Sequence, residues 1–315
     1  AAVRAITFRE AAEATINARA AGWRSTKHAG QWLATLTAHA FPHIGDKPVA
    51  DVDRDAVLEV LNPLWAKTPE TASRVRGRIE ATLDHATVKG WRRGENPARW
   101  KGHLALLLPP PRKVAPVEHH PALPWQQLPA FMAALGDREG TAALALRFAI
   151  LTAARTGEVR GMRWGEVDIE GGVWTVPAAR MKAKRQHRVP LSGPALDLLR
   201  ALLPPDEAER PAHDALVFPG GRVGSPLSDM ALSMLVRGMA CDGLKEGELP
   251  RWRDAEGRAP VPHGFRSTFR DWAGEMRPEG REVVARALAH AIKDKAEAAY
   301  ARSDLLERRR PLMDA

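Results

Sequence analysis

Residues 173–192 read VWTVPAARMKAKRQHRVPLS, and this stretch decides the fold. Two short valine-bearing flanks, VWTVP and RVPLS, bracket the basic run ARMKAKRQH. β-Branched residues in short runs on both sides of a polar turn predict a β-hairpin, here with a cationic tip holding Lys182, Lys184 and Arg185. Nearly everywhere else the apolar residues recur at helical spacing. The chain therefore reads as mainly α with a small β-sheet, an α+β arrangement.

Working outward, residues 7 to about 105 are helical throughout. Thr7 followed by Glu10 has capping-box spacing. Ser25–His39, Asp53–Leu61 and Pro69–Lys89 continue the pattern, with turns expected at Pro42, Gly45 and Pro63, and WRRGENPARW (91–100) closing the region. LPPPRKVAPVE (108–118) carries four prolines and predicts an extended linker. The expected organisation is a helical unit over 1–108, a linker over 109–118 and a second unit over 119–315. In that second unit helices are expected at Trp125–Leu135, Thr141–Ala154, Pro194–Leu203, Leu227–Ala240, His263–Glu275, Glu279–His290 and Asp294–Ala301. A short strand is expected at LVFP (216–219), and 241–262 is polar and irregular. For that stretch, a loop over a bound partner and a plain insertion both fit.

The 315 residues carry 47 Lys and Arg against 38 Asp and Glu, a formal charge of +9 spread over both halves. That excess points to a polyanion, nucleic acid ahead of an anionic membrane surface. Cys241 is the only cysteine, which excludes an internal disulfide and a cysteine-based zinc site and fits a reducing, cytoplasmic setting. No run approaches the length of apolar sequence that spans a bilayer. The opening AAVRAITFRE has neither an initiator Met nor a signal-peptide pattern, and suggests a piece of something longer. DVDRD (51–55) lacks the turn glycine and final glutamate of a calcium loop and reads as a helix cap. GGRVGS (220–225) lacks the Gly-Lys-Ser/Thr ending of a phosphate loop and reads as a turn. His119–His120 has no second pair of metal ligands beside it.

Three further segments bear chemistry. LTAARTGEVRGMRW places Arg155 after an apolar helix, HGFRSTFRDW puts His263 and Arg266 three residues apart on one helical face, and ALAHAIKDKAEAAYARSD sets His290 ten residues before Tyr300, the only tyrosine. Taken singly, each has a plain reading as a helix end, a solvated face or a packing residue. In this order, together with MKAKRQHRVPLS, they resemble the tyrosine recombinases of phage- and genomic-island-integrase type. The resemblance covers nearly the whole chain, without the N-terminal arm-binding domain that many such integrases carry.

That resemblance implies a helical core-binding domain and a catalytic domain forming a C-shaped DNA clamp. It also implies an active site of Arg155, Lys182, His263, Arg266, His290 and Tyr300. In such enzymes a tyrosine attacks the scissile phosphate to give a 3′-phosphotyrosyl link, which conserves the bond energy for rejoining. The two arginines neutralise the extra charge of the five-coordinate phosphorus, the lysine protonates the departing 5′-oxygen, and the histidines assist proton transfer and bind the phosphate. No metal or nucleotide cofactor is implied. The implied partners are double-stranded DNA attachment sites and DNA-bending accessory proteins. The protein would be a monomer when free and a homotetramer when a Holliday junction is formed, with the basic C-terminal segment SDLLERRRPLMDA docked on a neighbouring protomer. Arg74, Arg76, Arg78 and Lys89 are candidate phosphate contacts or a solvated face. Two rivals share parts of the pattern. A type IB topoisomerase would relax supercoils without pairing two sites, and a non-catalytic DNA-binding regulator would bind equally well without Tyr300.

Overall fold

The structure is a computed structural model that describes residues 5–23, 26–115, 118–290 and 303–315. The chain divides into two compact units, residues 1–118 and 119–315.

The first unit is helical. Helix α1 (Phe8–Ala20) starts at the expected capping box: the Thr7 hydroxyl accepts the Glu10 N–H, and the Glu10 carboxylate takes the Thr7 N–H at 2.9 Å. Then come α2 (Thr26–His39), α3 (Phe41–Ile44), α4 (Arg54–Lys67) and α5 (Pro69–Val88). Phe8, Leu36, Ile44, Leu61, Ile79 and Leu83 form its buried centre. Asp53 caps α4 by accepting the Ala56 N–H at 2.9 Å, as the DVDRD reading expected.

Three breaks expected from proline behave differently. Pro42 lies in the first turn of α3, where its missing N–H costs nothing. Pro63 lies inside α4 rather than ending it, because its ring faces solvent while Leu61 and Trp65 on the same helix are buried. Packing of that face outweighs the lost backbone bond. In the proline-rich 109–118 stretch, Pro111 opens a single helical turn, α6 (Pro111–Val114), and Pro109 accepts the Trp65 indole N–H at 2.9 Å. Residues 109–115 thus fold against their own unit instead of running extended.

The second unit is built on α7 (Leu128–Gly136), α8 (Thr141–Leu151), α9 (Thr156–Arg160), α10 (Gly193–Ala201), α11 (Ala231–Cys241), α12 (Gly264–Met276), α13 (Gly280–Ala287) and α14 (Leu306–Asp314). The expected hairpin is present. Strand β2 (Val173–Val176) pairs antiparallel with β3 (His187–Pro190), Val176 facing His187 as the closing pair. A two-residue strand β1 (Val167–Asp168), not foreseen, pairs with the other edge of β2. Trp174 is fully buried beneath the sheet, its ring 5.5 Å from Phe148, in a core that also holds Phe131, Phe218 and Phe265.

The LVFP stretch is not a strand: it makes isolated bridges through Leu216 and Pro219 only, since a proline without an N–H cannot continue a ladder. GGRVGS is a turn, closed by the Gly220 N–H on the Ser225 carbonyl at 2.7 Å. The 241–262 stretch is anchored. Trp252 is buried with its ring 5.4 Å from Phe131, and Asp254 accepts the main-chain N–H groups of Glu256 and Arg258. The expected helix at Asp294–Ala301 lies outside the described residues. Helix α14 packs on β3 and α13 of its own unit, burying Leu306, Arg309, Leu312 and Met313. Among the described residues, no helix is long and apolar enough to cross a membrane.

Candidate active site

The apolar helix α8 ends in a left-handed residue, Ala153 (φ 48°), and this reversal presents Arg155 as the N-cap of α9. Glu158, three residues on and almost fully buried, accepts the Arg155 main-chain N–H at 3.0 Å and its guanidinium at 2.7 Å. One carboxylate therefore caps the helix and aims the arginine. Arg266 projects from the first turns of α12 and is 7% exposed. Its guanidinium donates to the carbonyls of Ala153 and Leu288. Burial first, and then the Arg155 charge, lower its pKa to about 10, with Glu158 opposing, so it is charged at neutral pH.

Helix α12 can approach so closely because its first residue is glycine. A Cβ on Gly264 would lie 2.0 Å from the Pro121 carbonyl oxygen. The 121–123 segment is fastened there by the Val261 N–H on the Pro121 carbonyl and by Thr268 Oγ1 donating to the Leu123 carbonyl at 2.6 Å. His263, the N-cap of α12, has its pKa lowered by partial burial, then by Arg266, His120, Arg155 and Lys182. The His120 ring stands 5.0 Å from it, edge to face. His290 follows the end of α13, its N–H on the Ala285 carbonyl at 2.9 Å. Its pKa is lowered by partial burial, then by Arg266, Arg155 and Arg270.

Lys182 lies in the 177–186 turn of the β2–β3 hairpin, whose path is set by its neighbours. Met181 is buried, and Arg180 donates to the Glu158 carbonyl at 2.8 Å and to the Glu166 carboxylate. Glu166 also accepts the Trp174 indole N–H at 3.2 Å.

Five of the six residues expected from the sequence thus share one electrostatic environment: Arg155, Lys182, His263, Arg266 and His290. Tyr300 lies outside the described residues. Sequence reasoning missed Glu158, whose signal was present as the capping-box spacing from Arg155. It also missed Glu166 and Arg180, which hold the lysine turn, and set aside His120, whose ring lies against that of His263. Of the proposed phosphate contacts, Arg76 is turned inward to Glu80 and the Ala98 carbonyl, both at 2.7 Å. Arg78 holds the Gln31 carbonyl at 2.9 Å.

What the arrangement can do follows from its charge. Among the described residues, Arg155 and Arg266 lie within electrostatic reach of both imidazoles and Lys182 within reach of His263, and Glu158 faces the two arginines. Such a site suits a phosphodiester whose negative charge grows during reaction.

Comparison with known proteins shows the family to which the chain is similar. Residues 8–103 match the phage integrase central domain, and residues 122–306 match the phage integrase family. The prophage integrase IntZ of Escherichia coli strain K12 is 30% identical over 311 residues, covering 97% of this chain and 69% of its own length. The integrase of Enterobacteria phage P4 is 27% identical, covering 92% of this chain and 64% of its own. The chain thus spans about two thirds of these relatives. A lambda integrase tetramer bound to a Holliday junction shares the fold, with a TM-score of 0.65 at 16% identity, over 92% of this chain and 79% of that one.

Proposed function

The chain belongs to the phage integrase family, the tyrosine site-specific recombinases, and from that premise we propose that it cuts and rejoins DNA strands through Tyr300. The observation that carries the reading is the convergence of Arg155 and Arg266 on neighbouring carbonyls just past α13, those of Ala289 and Leu288, beside two imidazoles whose pKa values are lowered.

The Tyr300 oxygen attacks the scissile phosphorus, forming the phosphotyrosyl bond as the bond to the 5′-oxygen breaks. His263, uncharged at neutral pH because its pKa is lowered, accepts the tyrosine proton. Lys182 delivers a proton to the departing 5′-oxygen. Arg155 and Arg266 hold the non-bridging oxygens, each with permanently charged donors, and His290 adds a hydrogen bond to one of them. Rejoining runs the same steps backward with a 5′-hydroxyl from a second strand. The substrate is double-stranded DNA, and affinity falls steeply with salt because each phosphate contact releases counterions. By analogy with the lambda integrase tetramer on its Holliday junction, four protomers exchange strands between two sites, aided by proteins that bend the DNA. The setting is the bacterial cytoplasm, where that DNA lies.

The test uses duplexes enriched from a random pool by binding to the protein, cloned into negatively supercoiled plasmid, with reaction in EDTA and a detergent quench. Protein-linked DNA is expected with the wild type and not with Tyr300→Phe. Linkage that persists in Tyr300→Phe overturns the nucleophile, and paired sites yielding junctions separate recombination from simple relaxation.

A further inference from the structure

Past Tyr300 the chain is fastened to the same hairpin that carries Lys182. Arg188 of β3 forks onto Asp304, its Nε donating to Oδ2 at 2.8 Å and its Nη2 to Oδ1 at 2.9 Å. Such a two-pronged pair fixes direction as well as distance. Arg309 of α14, 1% exposed, joins it: Nη1 donates to the Arg188 carbonyl at 2.7 Å, and Nη2 stands 3.4 Å from Asp304 Oδ2. Asp304 Oδ1 also accepts the Leu306 N–H at 3.2 Å, so one carboxylate both opens α14 and closes the clamp. Beside it, Arg310 donates to the Gly171 carbonyl at 3.1 Å, just before β2.

The hairpin end of this clamp is fixed. Thr175 of β2 faces Arg188 across the ladder, and Trp174, Val176 and Val189 around them are buried in the core. The other end is close to the nucleophile: Asp304 lies four residues after Tyr300, and four residues of chain reach at most about 14 Å. An isolated, partly exposed ion pair would hold such a segment weakly. Here the carboxylate is shared between the Arg188 fork and a buried second guanidinium. Burial lowers the Arg309 pKa to about 10, against the opposing pull of Asp304, so Arg309 is charged at neutral pH and grips the carboxylate as well.

We propose that Arg188 and Asp304 are positioning residues for the nucleophile: their forked ion pair, shared with Arg309, pins the chain just past Tyr300 to strand β3. The pin limits where the tyrosine oxygen meets a phosphorus held by Arg155 and Arg266. This rests on the recombinase reading given above. Attack needs the oxygen within about 3–3.5 Å of the phosphorus, and a misplacement of about 1 Å costs about a hundredfold in rate. A slack tether therefore slows formation of the phosphotyrosyl bond and leaves DNA binding as it was.

The experiment measures single-turnover protein–DNA linkage at saturating selected duplex, with duplex affinity measured separately and each protein shown to be folded by tryptophan fluorescence. Arg188→Ala removes the fork but leaves Asp304 to Arg309 and keeps the carbonyl that Arg309 holds. It is expected to slow linkage about tenfold to a hundredfold, with affinity within about threefold of wild type. Asp304→Glu keeps the charge for Arg309 and lengthens the tie by about 1.5 Å, and a slowing of at least about threefold is expected from that alone. The double variant should be no slower than the slower single one, because both changes release the same pin. A folded Arg188→Ala protein that links at the wild-type rate overturns the proposal, as does an Asp304→Glu protein that does so. Slowing in the double variant that equals the product of the two single effects overturns it too. So does a loss confined to affinity, with a shallower salt dependence, which would make Arg188 a phosphate contact. Tyr300→Phe runs alongside. A wild type that forms no linkage through Tyr300 overturns the recombinase reading and this proposal together, whereas linkage that forms and ignores Arg188 overturns this proposal alone.

Discussion

Acid should weaken the second unit through His187 in a way that can be isolated. Its pKa falls from the ordinary 6.5 of the unfolded chain to about 4 in the fold, because burial and the Arg309 charge disfavour the imidazolium. The unfolded chain therefore takes up a proton before the folded one does. Above pH 6.5 both states are neutral at this residue and its full contribution is present. Between pH 6.5 and about 4 the unfolded state is favoured progressively, and below about 4 both states are charged and the loss stops. A difference of that size is worth about 3 kcal/mol. His263, His290 and His85 are shifted in the same direction, so the wild-type slope alone does not single out His187. The difference from His187→Gln does, since glutamine has no proton to gain. Urea unfolding followed by tryptophan fluorescence, where Trp174 is fully buried under the sheet, should show the wild type losing about 3 kcal/mol more than the variant between pH 7 and pH 4. Parallel decline of the two proteins over that window would refute the reasoning.

Glu158→Gln keeps a cap acceptor for the Arg155 N–H but removes the carboxylate from between the arginines. It should cost about 2 kcal/mol in urea unfolding and at least about a hundredfold in the rate of protein–DNA linkage. Gly264→Ala would drive a Cβ to 2.0 Å from the Pro121 carbonyl, so α12 must shift. We expect a loss of about 1–3 kcal/mol by the same unfolding assay, with a fall in cleavage because His263 and Arg266 ride on that helix. Ala289→Gly should act oppositely: with φ at 48°, glycine relieves about 1 kcal/mol of strain, seen as a raised thermal midpoint.

How far the fold could be read in advance depended on whether the signal was local. The Thr7–Glu10 box, the Asp53 cap and the two valine-bearing strands are each specified by residues a few positions apart, and each formed where it was expected. The prolines were misread where tertiary packing outvoted them. Pro63 rides on the exposed side of a helix whose Leu61 and Trp65 are buried, and Pro111 starts a turn that the Trp65–Pro109 bond holds down. Strand β1 has only two residues and owes its existence to β2 beside it, which no local pattern announces.

The site divides along a similar line. Residues whose chemistry is in the side chain were legible: an arginine, a lysine or a histidine at the right spacing declares a capacity to meet a phosphate. What was not legible is how they are held, because the holding atoms are largely main-chain carbonyls, and every residue has one. Arg266 is aimed by Ala153 and Leu288, Arg155 by Ala289 and Glu158, and the lysine turn by the Glu158 carbonyl through Arg180. Alanine and leucine at those positions look like filler. Their function lies in φ values of 48° at Ala153 and Ala289 that turn the carbonyls toward the arginines. Each arginine is thus half-satisfied by the protein and still has donors to offer an incoming anion. Full satisfaction by carboxylates would make a stable ion pair that a phosphate could not displace, and no satisfaction would leave buried charge too costly to hold. Carbonyls, being neutral, orient the Arg266 guanidinium without cancelling its charge, whereas Arg155 divides its donors between the Glu158 carboxylate and the Ala289 carbonyl, so the two arginines together keep net positive charge to offer an anion.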